Sequence, residues 1–282
     1  MSQASDSVCY RHPNRQSFVL CQRCGRTICG ECQTPAAVGV VCPECMREQR
    51  ASAPRTRPRV LTRVRRVSGS GAPVVTYSII GLSVFFFILQ SIPGIGGSIT
   101  NALQYAGIYS IPNPVFGFEP WRMLTSLFAH ANIIHIGLNM YTLWIFGQIL
   151  EPLLGKGRYL ALYLISGFGG SLAVLLLASP MQGVIGASGA IFGMMGAFLV
   201  IQRRLGGNAT QLLILVGINL VIGFIPGFQI AWQAHVGGLV VGALVGLIFV
   251  ETRPQSRRRL QIGLLVALSV VLVVASCWQY IA

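Results

Sequence analysis

Seven apolar stretches dominate the 282-residue chain, at roughly 74–92, 127–150, 159–179, 185–202, 210–229, 232–250 and 260–281. Each is close to the ~20 residues that a helix needs to cross a ~30 Å hydrocarbon layer. A backbone surrounded by lipid must satisfy its own hydrogen bonds, so stretches of this length and polarity are expected as helices. The expected fold class is an all-α polytopic membrane protein with seven transmembrane helices. Composition agrees, with 53% hydrophobic residues, 10% charged residues and a mean hydropathy of +0.66. These values move the chain out of the ordinary soluble class.

The charge balance, 21 basic residues against 7 acidic and a net +14, would suggest nucleic acid in a soluble protein. Here its placement gives another reading. The arginines before the first stretch, then Lys156 and Arg158, then Arg203 and Arg204, then Arg253, Arg257, Arg258 and Arg259 all fall on one side of a seven-span layout. Only Arg122 is basic in the loops of the other side. This is the positive-inside asymmetry. The chain opens without the apolar stretch and small-residue cleavage site of a secretory signal, so a multi-pass protein of the cell membrane is expected, with a cytoplasmic N-terminus and the C-terminus outside. Even-numbered spans then run from outside to inside.

Seven of the eight cysteines lie before residue 46. With one histidine they form four two-ligand knuckles: Cys9 and His12, Cys21 and Cys24, Cys29 and Cys32, Cys42 and Cys45. Eight ligands of this type suit two tetrahedral structural Zn²⁺ ions, and so small a module with few large apolar groups needs metal to fold. Disulfides would require an oxidising compartment that the expected topology denies. A cross-braced pairing, first knuckle with third and second with fourth, is the expectation. Residues 1–46 resemble the B-box class of zinc fingers, which implies a possible cytoplasmic protein partner. Residues 47–72 carry eight arginines among Pro, Ser and Gly and read as a flexible basic linker attracted to anionic lipid. No aromatic residue is interleaved for base stacking, and a span follows at once, so nucleic acid is not expected as a partner.

The remaining histidines, His130, His135 and His235, lie in or beside apolar spans, where polar groups are costly and usually functional. His130 and His135 are expected to open the second span with Asn139 one turn on, Ser188 to stand near the start of the fourth, and His235 near the start of the sixth. Counting back from the inner charges at ~1.5 Å per residue puts Asn139, Ser188 and His235 roughly 26, 22 and 27 Å above them, at one level near the outer face. A serine and a histidine suffice for nucleophilic acyl transfer if the imidazole takes the hydroxyl proton and returns it to the leaving amine. No carboxylate is placed to complete a triad, so packing must orient the ring, and Phe192 shares a helix face with Ser188. Gly189-x3-Gly193 and Gly238-x3-Gly242-x3-Gly246 would let two helices approach closely enough for the pair to touch.

Trp121-Arg122 in a long outer loop, His130-x4-His135-x3-Asn139, Gly186-Ala187-Ser188-Gly189 and His235-x2-Gly238-x3-Gly242, in this order, resemble the rhomboid intramembrane serine proteases. The likeness covers about residues 74–250. It implies a protease core at 73–252 of six transmembrane helices, with 253–282 adding a basic loop and a seventh helix in the six-plus-one arrangement. It implies Ser188 as nucleophile, His235 as general base, and an oxyanion hole made by the Ser188 N–H with His135 and Asn139. His130 is implied as a supporting neighbour, and catalysis needs no cofactor. The implied partners are the lipid bilayer and transmembrane protein substrates, cut where a helix unwinds near the outer leaflet. Where some relatives stack a tyrosine on the imidazole, this chain has Phe192.

A non-cutting rhomboid-like binder of transmembrane clients is the other reading, against which stand intact Ser188 and His235. A transporter should carry ionisable residues along a path, and the span interiors hold no carboxylates. The chain has no H-E-x-x-H metalloprotease helix, and its single Asp, Asp6, excludes an aspartyl protease.

Overall fold

The computed structural model describes residues 7–36, 39–52, 72–223 and 230–281. The chain divides into two compact units, one within residues 1–59 and one within 60–282.

In the first unit, β1 (Val8–Cys9) pairs antiparallel with β2 (His12–Gln16), and β3 (Thr34–Pro35) with β4 (Val40–Val41). Helix α1 (Pro43–Ser52) follows at once. The interior is small, formed by Ile28, Val41 and six buried cysteines. Helix α1 runs six residues past the expected module boundary at 46, so the basic stretch begins as helix. The rest of the expected linker, 53–71, lies outside the described residues.

The second unit is helical. Its elements are α2 (Val74–Gln90), α3 (Gly96–Leu103), α4 (Arg122–Thr125), α5 (Ile133–Leu154), α6 (Lys156–Leu177), α7 (Ser188–Arg204), α8 (Thr210–Ile222), α9 (Trp232–Glu251) and α10 (Arg258–Ile281). Four of them, α5, α6, α9 and α10, are long and apolar enough to cross a membrane. Two shorter apolar helices, α2 and α8, accompany them. Leu138, Ile218, Val240 and Val271 face outward, more than half exposed, which suits lipid rather than water. With the alternation of apolar helices and charged turns, this makes the unit part of a multi-pass membrane protein. The end of the expected fifth span, 224–229, lies outside the described residues.

The expected second span needs correction. Residues 122–128 fold as the short helix α4 and a single 3-10 turn, Ser126–Phe128, and the long helix starts only at Ile133, where the Asn132 side chain accepts the His135 N–H at 2.9 Å. This N-cap satisfies a donor that would otherwise be bare. His130 therefore precedes the helix instead of opening it. At the other end, Gly155 (φ 83°) turns α5 into α6, a left-handed conformation that residues with side chains adopt at a cost.

Helices α6, α7 and α9 pack most tightly. A Cβ on Gly238 or Gly242 of α9 would collide with the carbonyls of Gly189 or Gly193 on α7, and one on Gly246 would lie 2.7 Å from the Ala197 Cα. Helix α6 joins them through Ser166 against Gly193 and Gly169 against Gly237. Helix α2 packs on α5, where Glu151, buried in the last turn of α5, accepts from the Val75 N–H (2.9 Å), the Thr76 N–H (2.8 Å) and the Thr76 hydroxyl (2.8 Å). The carboxylate thus caps a helix from 75 residues away in sequence and lies where the helix dipole favours a negative charge.

Glu151→Ala would leave two backbone donors and a hydroxyl unsatisfied in an apolar region, a loss of about 3 kcal/mol. The expected result is a lower thermal unfolding midpoint in detergent for Glu151→Ala, with partial recovery in Glu151→Gln, which keeps an acceptor.

Candidate active site and candidate metal centres

Ser188 is the first residue of α7, and His235 lies in the first turn of α9. Because the two helices touch backbone to backbone just below, their ends converge, and Ser188 Oγ lies 2.9 Å from His235 Nε2. A serine hydroxyl donating to this nitrogen requires the neutral imidazole to carry its proton on Nδ1. Nδ1 is buried and has no partner among the described residues, so no carboxylate orients the ring. Phe192 does so instead, stacked on the imidazole with ring centroids 4.2 Å apart and planes at 12°. Ser188 itself is only half-buried, whereas His235 is 7% exposed.

His135 sits in the first turn of α5, and the Ala131 N–H donates to its Nδ1 at 3.3 Å. That bond makes Nδ1 the acceptor and leaves the proton on Nε2. Nε2 faces Gly186: a Cβ there would lie 2.7 Å from it and 3.9 Å from Ser188 Oγ. Gly186 also has φ 125°, so the chain passes between ring and serine only as glycine. Its N–H donates to the Ser126 carbonyl at 2.9 Å, and Val184 bridges Tyr105, which pins the segment leading into α7.

Asn139 is buried one turn below His135, and its amide donates to the His135 carbonyl at 2.8 Å. An amide has two N–H donors, so one remains for another acceptor. His130 is fully buried with its ring edge-to-face against His135, centroids 5.2 Å apart. Its backbone N–H is held by Gln90 Oε1 at 3.0 Å, while Gln90 Nε2 donates to Thr100 Oγ1 at 2.9 Å. The structure therefore joins Ser188 and Phe192 through His235 and gathers His130 and Asn139 around His135, which lies beside Gly186. Among the described hydrogen bonds, none joins Asn139 to Ser188 or His235.

Sequence reasoning missed Gln90, Asn132 and the Ala131 N–H. Only Asn132 gave a signal, a capping residue before an apolar run. The loop before the site is packed as well: Arg122 pairs with Glu119, donates to the carbonyls of Asn101 and Gln104, and lies over Tyr109. Trp121 beside it is 57% exposed, as suits a residue of a membrane interface.

In the first unit the eight ligands fall into two sets, Cys9, His12, Cys29 and Cys32 in one, Cys21, Cys24, Cys42 and Cys45 in the other. Within each set the donor atoms lie within 4.8 Å of one another, in the cross-braced order. His12 Nδ1 is 3.8, 3.3 and 3.5 Å from the sulfurs of Cys9, Cys29 and Cys32, and Cys24 Sγ is 3.8 Å from Cys42 Sγ. A tetrahedral zinc with ordinary bond lengths gives edges of about 3.6 Å (S···N) and about 3.8 Å (S···S), so the donor sets fit such an ion. Backbone donors support the sulfurs, Cys42 N–H to Cys21 Sγ at 3.2 Å and Cys45 N–H to Cys42 Sγ at 3.4 Å. Burial opposes the Cys9 and Cys21 thiolates, but surrounding N–H donors outweigh it and hold both at about 6. Burial and the neighbouring sulfurs push Cys32 up to about 11 and Cys45 up to about 12. Each set thus resists full deprotonation unless a cation neutralises it.

A family model described as Rhomboid domain matches residues 117–252. The chain is 38% identical over 179 residues to RHOMBOID-like protein 6, mitochondrial, of Arabidopsis thaliana, covering 60% of this chain and 55% of that protein. It is 35% identical over 208 residues to Rhomboid protease GluP of Bacillus subtilis, covering 71% of this chain and 40% of that protein. The chain thus spans about half the length, or less, of these two relatives. The likeness to Putative rhomboid protease YdcA of Bacillus subtilis, 31% identical over 187 residues, takes in 64% of this chain and 90% of that protein. Matched at 31% identity over nearly the whole of one relative, the chain belongs to the rhomboid family.

Proposed function

We propose that the protein is an intramembrane serine endopeptidase that cuts transmembrane protein substrates through a Ser188–His235 dyad. The observation that carries this reading is the 2.9 Å contact between Ser188 Oγ and His235 Nε2, with the imidazole stacked on Phe192. Nε2 takes the serine proton as Oγ attacks a substrate carbonyl, the C–N bond breaks as Nε2 returns that proton to the leaving amine, and water, activated by the same nitrogen, then releases the acyl group. The negative charge on the carbonyl oxygen is met by the Ser188 N–H, the proton on His135 Nε2 and the free N–H of Asn139. His130 packs against His135 and holds that ring in place.

Seven spans carry this chemistry, α2 and α5 to α10, with the N-terminus inside and the site opening to the outer face. The basic ends Arg203, Arg204, Arg253 and Arg258 support that orientation. Substrates present a helix that unwinds locally near the outer leaflet, since a helical carbonyl is already bonded. The N-terminal unit holds two structural zinc ions and recruits a cytoplasmic protein. Zinc ties together chain segments that otherwise share only a small apolar interior and supplies no catalytic chemistry.

A fluorophosphonate probe should label the wild-type protein, and Ser188→Ala should abolish both labelling and cleavage of a model transmembrane substrate. Absence of labelling in folded wild-type protein would leave a client binder that does not cut. Asn139→Ala should lower turnover about 10²–10³-fold, measured at saturating substrate, as expected for one lost oxyanion donor. Metal analysis of the full chain should give two zinc ions, falling to one in Cys29→Ser and in Cys42→Ser; a folded zinc-free protein would contradict the metal assignment.

A further inference from the structure

At the end of the helical unit away from Ser188, two turns that are about 100 residues apart in sequence come together. The α5–α6 turn supplies Gly155, Lys156, Gly157 and Arg158, and the segment leading into α10 supplies Arg253, Gln255 and Arg258; with Leu154 they line one cavity of about 430 Å³. Asn139 stands 15 residues before Leu154 on α5, roughly 22 Å along an ideal helix, so this cavity is remote from the Ser188 and His235 side chains.

Four cations face one space, and the described residues offer them no acidic partner. The nearest carboxylates in sequence are engaged elsewhere, Glu151 at the start of α2 and Glu251 with Arg204. Like charges gathered this way repel one another unless an anion joins them. The backbone favours an anion too. No side chain caps the start of α6, and a Cβ on Gly155 or Gly157 would meet nothing within 4 Å, so a ligand reaches the main chain freely.

A second observation concerns the same two helices. Further along them a largely apolar cavity of about 400 Å³ is lined by Ile165 of α6 and by Leu265, Val266, Val270, Val273 and Val274 of α10, with Ser269, whose hydroxyl donates to the Leu265 carbonyl within the helix. It begins seven residues beyond both Arg158 and Arg258, about 10 Å along each helix, and runs a further ~14 Å to Val274. A cationic mouth followed by an apolar groove matches one class of molecule, an acyl chain ending in a phosphate headgroup.

We propose that Lys156, Arg158, Arg253 and Arg258 bind the phosphate of an anionic phospholipid whose acyl chain lies in the groove between α6 and α10. Basic pockets between transmembrane helices on the positive side of a membrane suit such headgroups. Free phosphate shares the head chemistry but has no use for the groove. The assignment is independent of the proteolytic activity.

Native mass spectrometry of the full chain in detergent, with added phosphatidylglycerol, phosphatidylcholine or inorganic phosphate, tests this. One phosphatidylglycerol should be retained at least about tenfold better than phosphatidylcholine. Arg253→Gln with Arg258→Gln should remove that preference, whereas Arg257→Gln with Arg259→Gln, the same change of charge outside the cavity, should leave it. Val270→Trp should weaken retention of the lipid by filling the groove. Equal retention of both lipids, persistence of the preference in the Arg253/Arg258 variant, or displacement of the lipid by an equimolar amount of inorganic phosphate would overturn the proposal. Fluorophosphonate labelling, or an unchanged unfolding midpoint, checks that each variant is folded.

Discussion

Everything in the helical unit follows from one backbone-to-backbone contact, that of α7 with α9. Between helices in lipid there is no hydrophobic driving force, because the solvent is as apolar as the side chains. Close packing has to supply the attraction, and a row of glycines allows it: Gly189 and Gly193 on one helix, Gly238, Gly242 and Gly246 on the other. The residues above these contacts are then fixed in relation to each other. Ser188 and His235 meet because the glycines below them do, and Phe192, one turn down α7, reaches the face of the imidazole.

The same solvent explains why the polar groups around this contact are arranged as they are. A bare donor or acceptor in an apolar region is expensive, so the few polar side chains work in pairs over long sequence distances. Gln90 at the end of α2 holds the backbone of His130, and Glu151 at the end of α5 holds the start of α2. The Ala131 N–H fixes the tautomer of His135 and so determines which nitrogen of that ring can donate toward Ser188. Among the described residues the His235 ring has no carboxylate partner, and its stacking on Phe192 restricts the ring's orientation instead.

Much of this was legible from residues alone, for reasons that can be named. Apolar run length is set by bilayer thickness, and the predicted stretches near 74, 159, 185, 232 and 260 each overlap one helix of the structure to within a few residues at either end. Two-residue spacings between metal-type ligands carry their own geometry, whereas the order of the knuckles leaves their pairing open, and the folded chain groups the donors in the cross-braced way. Other features were hidden. Leu127 and Phe128 are apolar because they pack against the core from a short turn, so they were read as the start of a span that begins only after Asn132. Glu151 looked like a residue at a span end, and its link to Thr76 depends on how α2 and α5 pack, which no local pattern encodes. Helix α1 continues past Met46 because Arg47, Glu48 and Gln49 are good helix formers, although composition made the segment look like linker.

The close approach of α7 and α9 can be tested separately from the identity of the nucleophile. A valine at position 242 would drive a side chain into the Gly193 carbonyl, while one at position 263 on α10 would meet open space. The rate of phosphonylation at Ser188, followed by mass spectrometry in the two folded variants, reads the result. Loss of reaction in Gly242→Val with wild-type rates in Gly263→Val is the outcome expected if the glycine contact assembles the dyad. Wild-type reactivity in Gly242→Val would contradict it.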